Sequence, residues 1–263
     1  MAHGGNDNGV MYHTGLRESD LKGARYAILP GDPFRVPKIA ALADSSEELT
    51  WSREYRSELA TISGEPVLVI SHGIGGPSTA IAVEELYQID IRNFIRIGTS
   101  GGMQMNVKAG DVVVINAAIR AEGTSREYLP IEFPAAADLD ITVALRDAAK
   151  ELAPDSYHVG IAQCKDSYFG QHSPERMPVS YDLLNKWQAW IRGGALVSEM
   201  ESAALFTVCS SLHCKAGAVM LCVWNQEREA AGLPQDTEHD TELAIRVAIE
   251  GVRRLIESGA DRN

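Results

Sequence analysis

The chain has 263 residues, 45% of them hydrophobic, which is enough for a sizeable core in one large domain or two small ones. Its formal charge of −12 argues against nucleic-acid binding, because a phosphate backbone demands a positive surface. An anionic ligand must therefore be captured by local arginines against the overall field. Aliphatic residues dominate over aromatic ones, which suits buried parallel strands. No apolar run reaches the ~18 residues of a membrane span, and the N-terminus lacks a basic-then-apolar signal pattern. Cys164, Cys209, Cys214 and Cys222 form no C-x-x-C pair and show no metal-ligand spacing; they read as reduced thiols in a cytoplasmic protein.

Taken in chain order, Met1–Val10 is polar and glycine-rich and reads as a flexible leader. Residues 11–263 show no repeat, low-complexity tract or linker and read as one domain. Tyr26–Leu29 is a predicted strand, followed by a helix from about Phe34 to Leu42. Leu59–Ile62 and Val67–Ile70 form a predicted hairpin around Gly64-Glu65. A helix over Pro77–Tyr87 leads to a strand at Phe94–Ile97, and Asp111–Ile119 is a long strand. Leu139–Leu152 has helical period, and His158–Gln163 is strand-like. Asp166–Val179 is interrupted by glycine, serine and two prolines and reads as loop. Helices over Tyr181–Ile191 and Glu199–Leu212 precede a core strand at Ala218–Val223. Gln226–Glu238 is polar and loop-like, and Thr241–Ile256 closes the chain as an amphipathic helix. This alternation predicts an α/β architecture.

Ser71 to Leu86 is the most informative stretch. An apolar strand runs into Gly73, Gly75 and Gly76, and a helix starts at Pro77-Ser78. Glycines permit close backbone approach, and such a turn offers free N–H groups to an anion or simply links the elements. Gly31-Asp32-Pro33-Phe34-Arg35 is a second strand-to-helix turn, with Arg35 one turn in. Arg96-Ile97-Gly98-Thr99 puts an arginine on an apolar strand, where it needs either a ligand or a buried carboxylate. Glu199-Met200-Glu201 sets two carboxylates at a helix start. Either they answer the helix dipole or one accepts from vicinal hydroxyls. Tyr168-Phe169-Gly170-Gln171, with Arg176 downstream, can stack on a planar base and read its edge, or form an ordinary surface loop.

Together these stretches resemble the nucleoside phosphorylase family, which contains uridine and hexameric purine phosphorylases. The order Gly-Asp-Pro-x-Arg, glycine string, Arg-Ile-Gly-Thr and Glu-Met-Glu-Ser spans nearly the whole chain after Val10. The resemblance implies a single α/β domain with a central mixed sheet flanked by helices. It implies a phosphate site of Gly31, Arg35, Arg96 and Thr99, with Arg53 reaching in from a neighbouring subunit. His13 from a neighbour would meet the ribose 5′-hydroxyl; Met200 and Glu201, with Thr99 also in reach, would hold the ribose. Gln171 and Arg176 would read the base, and Tyr168 would line its pocket. Gly170-Gln171 resembles the uracil-reading element of the uridine branch. Val223-Trp224-Asn225-Gln226 lacks the acid by which purine members protonate their base. Three departures stand out: Ser173 replaces the usual arginine after the glutamine, Tyr168 stands where phenylalanine is usual in a shortened loop, and Gln226 replaces an arginine.

The implied reaction is reversible phosphorolysis of uridine to uracil and ribose 1-phosphate, with deoxyuridine or thymidine as further substrates. Arg96, Gln171 and Glu201 would carry the chemistry. No organic cofactor or catalytic metal is implied; phosphate is a substrate, and Glu54, Ile74 and Ser78 would hold an intersubunit monovalent cation such as K+. The assembly implied is a hexamer built as a trimer of dimers, with no nucleic-acid or membrane partner. Purine phosphorolysis, a phosphate-independent nucleosidase and a noncatalytic nucleoside-binding protein are the alternatives.

Overall fold

Apolar runs that alternate between two buried faces form the strands of one mixed sheet. The computed structural model describes residues 9–259. The leader expected over Met1–Val10 lies, but for its last two residues, outside the described residues. The strands are β1 (Tyr26–Pro30), β2 (Ser45–Ser52), β3 (Tyr55–Ile62), β4 (Glu65–Ile70), β5 (Asn93–Gly102), β6 (Val112–Ala121), β7 (Ala135–Ala136), β8 (Tyr157–Lys165), β9 (Val197–Glu199) and β10 (Lys215–Asn225). The helices are α1 (Val36–Ala40), α2 (Gly76–Gln88), α3 (Thr124–Tyr128), α4 (Leu139–Leu152), α5 (Tyr168–His172), α6 (Ser180–Arg192), α7 (Ser202–Ser211), α8 (Gln226–Ala230) and α9 (Glu242–Ser258).

The sheet runs β10-β6-β8-β9-β5-β1-β4-β3-β2, and β10 also pairs with β5, so five strands close into a ring. Strands β4, β1, β5 and β10 run parallel, while β2, β3 and β4 form an antiparallel meander. Period-2 geometry sorts each buried strand between two cores. Leu68 and Ile70 of β4 face one core with Val83 and Leu86 of α2 and Phe206 of α7. Val67 and Val69 face the other, with Ile39 of α1, Leu145 of α4 and Val252 of α9. Burial on both faces explains why these strands read as unbroken apolar runs.

Three local expectations change. Strand β2, Ser-Ser-Glu-Glu-Leu-Thr-Trp-Ser, was not predicted; it is a mostly exposed edge strand with the polar composition that protects an edge. The predicted loops contain α5, a 3₁₀ turn at Pro174–Arg176, and α8. The helix expected from Glu199 starts at Ser202, because Glu199 ends β9. The four cysteines are unpaired, and burial pushes the Cys164 and Cys209 thiols well up, which makes them inert core residues.

Candidate active site

A cavity of ≈ 920 Å³ opens where β1, β5, β8, β9 and β10 end. Carboxyl ends of strands are where open α/β sheets bind ligands. Ten of the sequence-predicted residues line it: Gly31, Arg35, Glu54, Ile74, Arg96, Thr99, Tyr168, Gln171, Met200 and Glu201.

Its floor is a buried charge cluster. Arg96, on β5, is 4% exposed. Its Nε donates to Glu199 Oε2 at 3.2 Å, its Nη2 to Glu201 Oε2, and its Nη1 to His72 Nε2 at 2.6 Å. A buried guanidinium needs such partners, and here it has two carboxylates and a ring nitrogen. The two carboxylates divide the roles that their spacing left open. Glu199 accepts the backbone N–H groups of Glu201 and Ser202 at 2.9–3.1 Å, closing the start of α7. Both line the cavity, but Glu201 leaves α7's N–H groups alone; burial raises its carboxyl while Arg96 opposes the rise.

The glycine turn holds an anion, but a protein one. Gly75 N–H donates to Glu201 Oε1 at 2.7 Å, so the turn fixes the carboxylate proposed for ribose rather than cradling phosphate. The turn requires glycine at Gly73. There φ is +73°, and a Cβ would lie 2.8 Å from both Glu54 Cγ and Ser78 Oγ.

Just after β8, Ser167 caps α5 by accepting the Gly170 N–H at 2.9 Å, and Gln171 of that helix lines the cavity. Gln171 is 9% exposed; its carbonyl accepts from Ser198 Oγ at 2.7 Å and its amide donates to Gln226 at 3.3 Å. Tyr168 and His172 form a tilted pair 4.3 Å apart beside Trp224, giving an aromatic wall. Lys165, at the end of β8, also lines the cavity. Its Nζ donates to Ser198 Oγ at 2.7 Å and Glu199 O at 3.4 Å, and burial pushes its pKa down against the pull of Glu199. A lone lysine ending a strand carries no motif, so the sequence does not single out Lys165. Only the pairing of β8 with β9, Gln163 opposite Ser198, brings it to Gln171.

Four expected residues lie outside the cavity lining: Ser78, whose Oγ donates to Glu54 Oε1 at 2.6 Å, Arg176, His13 and Arg53. Arg176 sits exposed on the 3₁₀ turn and is not among the cavity residues. Its nearness to Gln171 in sequence is undone by the turn of α5, and Lys165 is the cation beside Gln171. His13 and Arg53 also lie outside this chain's cavity. His13 Nδ1 is 2.7 Å from Glu85 Oε1, and Arg53 lies over the Tyr12 ring at 5.8 Å.

Residues 25–257 match the family model described as Phosphorylase superfamily. A uridine phosphorylase of Treponema pallidum is 50% identical over 95% of this chain and 96% of its own. One from Escherichia coli is 41% identical over 94% and 98%, respectively. A guanosine phosphorylase of Halorubrum lacusprofundi is 34% identical over 92% and 98%. With the mixed sheet, the glycine turn and the Arg96–Glu201 floor in the order the sequence motifs require, this chain belongs to the phosphorylase superfamily.

Proposed function

We propose that the protein is a pentosyltransferase that phosphorolyses uridine reversibly to uracil and ribose 1-phosphate. The observation that carries this reading is one cavity lined by Arg35, Arg96 and Glu201 together with Gln171 and Lys165. The 50% identity to a named uridine phosphorylase, against 34% to the guanosine enzyme, supports a pyrimidine base.

Phosphate held by Gly31, Arg35, Arg96 and Thr99 attacks C1′ of the ribose from the face opposite the base. The C1′–N1 bond breaks, and its electron pair leaves with uracil. Positive charge on the sugar is eased by the phosphate, while Met200 and Glu201 hold the ribose hydroxyls. Lys165 and Gln171 meet the negative charge growing on the base, and donors fixed in a desolvated site act strongly there. Holding two substrates in register supplies roughly 7–11 kcal/mol in favourable cases, so no protein nucleophile is needed.

The assembly is proposed as a trimer of dimers. His13 and Arg53, near one another through Tyr12 and outside their own cavity, are offered to a neighbour's site. No organic cofactor takes part. A monovalent cation at Glu54, Ile74 and Ser78 fits an oxygen donor set, since Ser78 Oγ and Glu54 Oε1 are 2.6 Å apart with Ile74 on the intervening turn. No described helix is long and apolar enough to cross a membrane, and the proposed compartment is the cytoplasm.

Incubation with uridine, thymidine or inosine, each with and without phosphate, tests the reading. Uracil release that needs phosphate is the expected result; release without phosphate would make the protein a hydrolase.

A further inference from the structure

His72 is wholly buried, and no step of the proposed reaction uses it. It follows β4, and its Nε2 lies 2.6 Å from Arg96 Nη1. A guanidinium carries donors only, so Nε2 must accept. A neutral ring that accepts at Nε2 carries its proton on Nδ1. Nδ1 is 3.1 Å from Thr79 Oγ1, and that hydroxyl donates onward to Gly75 O at 3.0 Å. The Gly75 N–H then binds Glu201 Oε1, and Glu201 Oε2 returns to Arg96. His72, Thr79, Gly75, Glu201 and Arg96 thus form a closed circuit in which each link joins one donor to one acceptor. Burial pushes the imidazole well below the ordinary histidine range, and the Arg96 charge pushes the same way.

Counting protons shows what the circuit does. Of the five guanidinium N–H groups, Glu199, Glu201 and His72 each take one. One remains on each Nη. Gly31, a member of the proposed phosphate site, packs here: a Cβ on it would lie 3.8 Å from His72 Cε1 and 3.9 Å from Arg96 Nη1.

We propose that His72 is a positioning residue for phosphate: its neutral, Nδ1-protonated ring fixes the rotation of the Arg96 guanidinium, so that the two remaining N–H groups meet phosphate without reorganisation. The proposal rests on the reading that Arg96 binds phosphate. An imidazolium would have no acceptor for Nη1.

Phosphate and uridine KM, with kcat, are measured for His72→Leu, His72→Gln, His72→Asn and Thr79→Val. In His72→Leu phosphate KM should rise at least about tenfold, the scale of a lost charge-assisted hydrogen bond, with uridine KM within about twofold. Glutamine places a carbonyl near the Nε2 position and should restore most of the phosphate affinity. Asparagine is too short to reach Arg96 and should not. Thr79→Val, which frees the ring, should raise phosphate KM several-fold. If His72→Leu fails to fold, the contrast between glutamine and asparagine decides. Unchanged phosphate KM, equal behaviour of glutamine and asparagine, or equal losses for phosphate and uridine would overturn the proposal. Arg96→Lys separates the premise from the inference. Unchanged phosphate KM in Arg96→Lys would remove the phosphate reading itself. A raised value there with a normal His72→Leu would sink only the role of His72.

Discussion

Replacing Glu201 by alanine separates two functions that the structure gives one carboxylate. Glu201 is 5% exposed and accepts from Gly75 N–H and from Arg96. Its removal leaves the Gly75 N–H without an acceptor and strips Arg96 of one of two carboxylates. Breaking a buried ion pair costs ~3–5 kcal/mol, and the low end applies because Glu199 and His72 still hold Arg96. At about 2–4 °C per kcal/mol for a domain of this size, the melting temperature should fall by roughly 6–12 °C. Hydrogen bonds to a charged group are worth ~1.5–3 kcal/mol, or roughly 10- to 150-fold in kcat/KM for each ribose hydroxyl lost. Differential scanning fluorimetry reads the first effect. Uracil release from uridine and from 2′-deoxyuridine, well below the melting temperature, reads the second. Uridine should lose more than 2′-deoxyuridine, which lacks one of the hydroxyls. Equal losses on both substrates would refute the ribose role and leave Glu201 as support for Arg96. An unchanged melting temperature would refute the charge cluster.

Lys165→Met should lower kcat on uridine by about 10²-fold or more, the scale of losing a fixed donor at a developing anion, while Arg176→Ala should leave uridine kinetics within about twofold. Because burial lowers the Lys165 pKa, the protonated amine is lost below the ordinary lysine range as pH rises. The alkaline limb of kcat should therefore lie below that range, and Lys165→Arg should move it up. A limb that stays put in the arginine variant would contradict this. His13→Ala should raise KM for uridine but not for 5′-deoxyuridine, and mixing it with Glu201→Ala subunits should restore part of the activity if sites are shared between chains. Gly73→Ala forces a Cβ into φ +73° against Glu54 and Ser78, and should destabilise by more than ~1 kcal/mol in urea unfolding.

The buried strands were legible because both their faces are apolar, as at Val67–Ile70 and Ala218–Val223. Strand β2 was not, since an edge in solvent needs no apolar pattern. Helix α5 was hidden for a related reason: five residues capped by Ser167 carry too little period to register. Within the site, residue types were legible and their partners were not. Two glutamates two positions apart look alike in sequence. Only the fold decides that Glu199 closes α7 while Glu201 meets Gly75. The turn at Gly73–Gly76 announced an anion correctly, yet the anion is a side chain from 126 positions away. Arg176 is near Gln171 only along the chain, whereas Lys165 comes near it only through the β8–β9 register.

The most direct test of direct phosphate attack is the product itself. Uridine and phosphate are incubated with the enzyme and followed by ³¹P and ¹H NMR. Attack opposite the base, with no enzyme-bound intermediate, predicts uracil and α-ribose 1-phosphate in equal amounts. Free ribose, or the β anomer of the sugar phosphate, would contradict it.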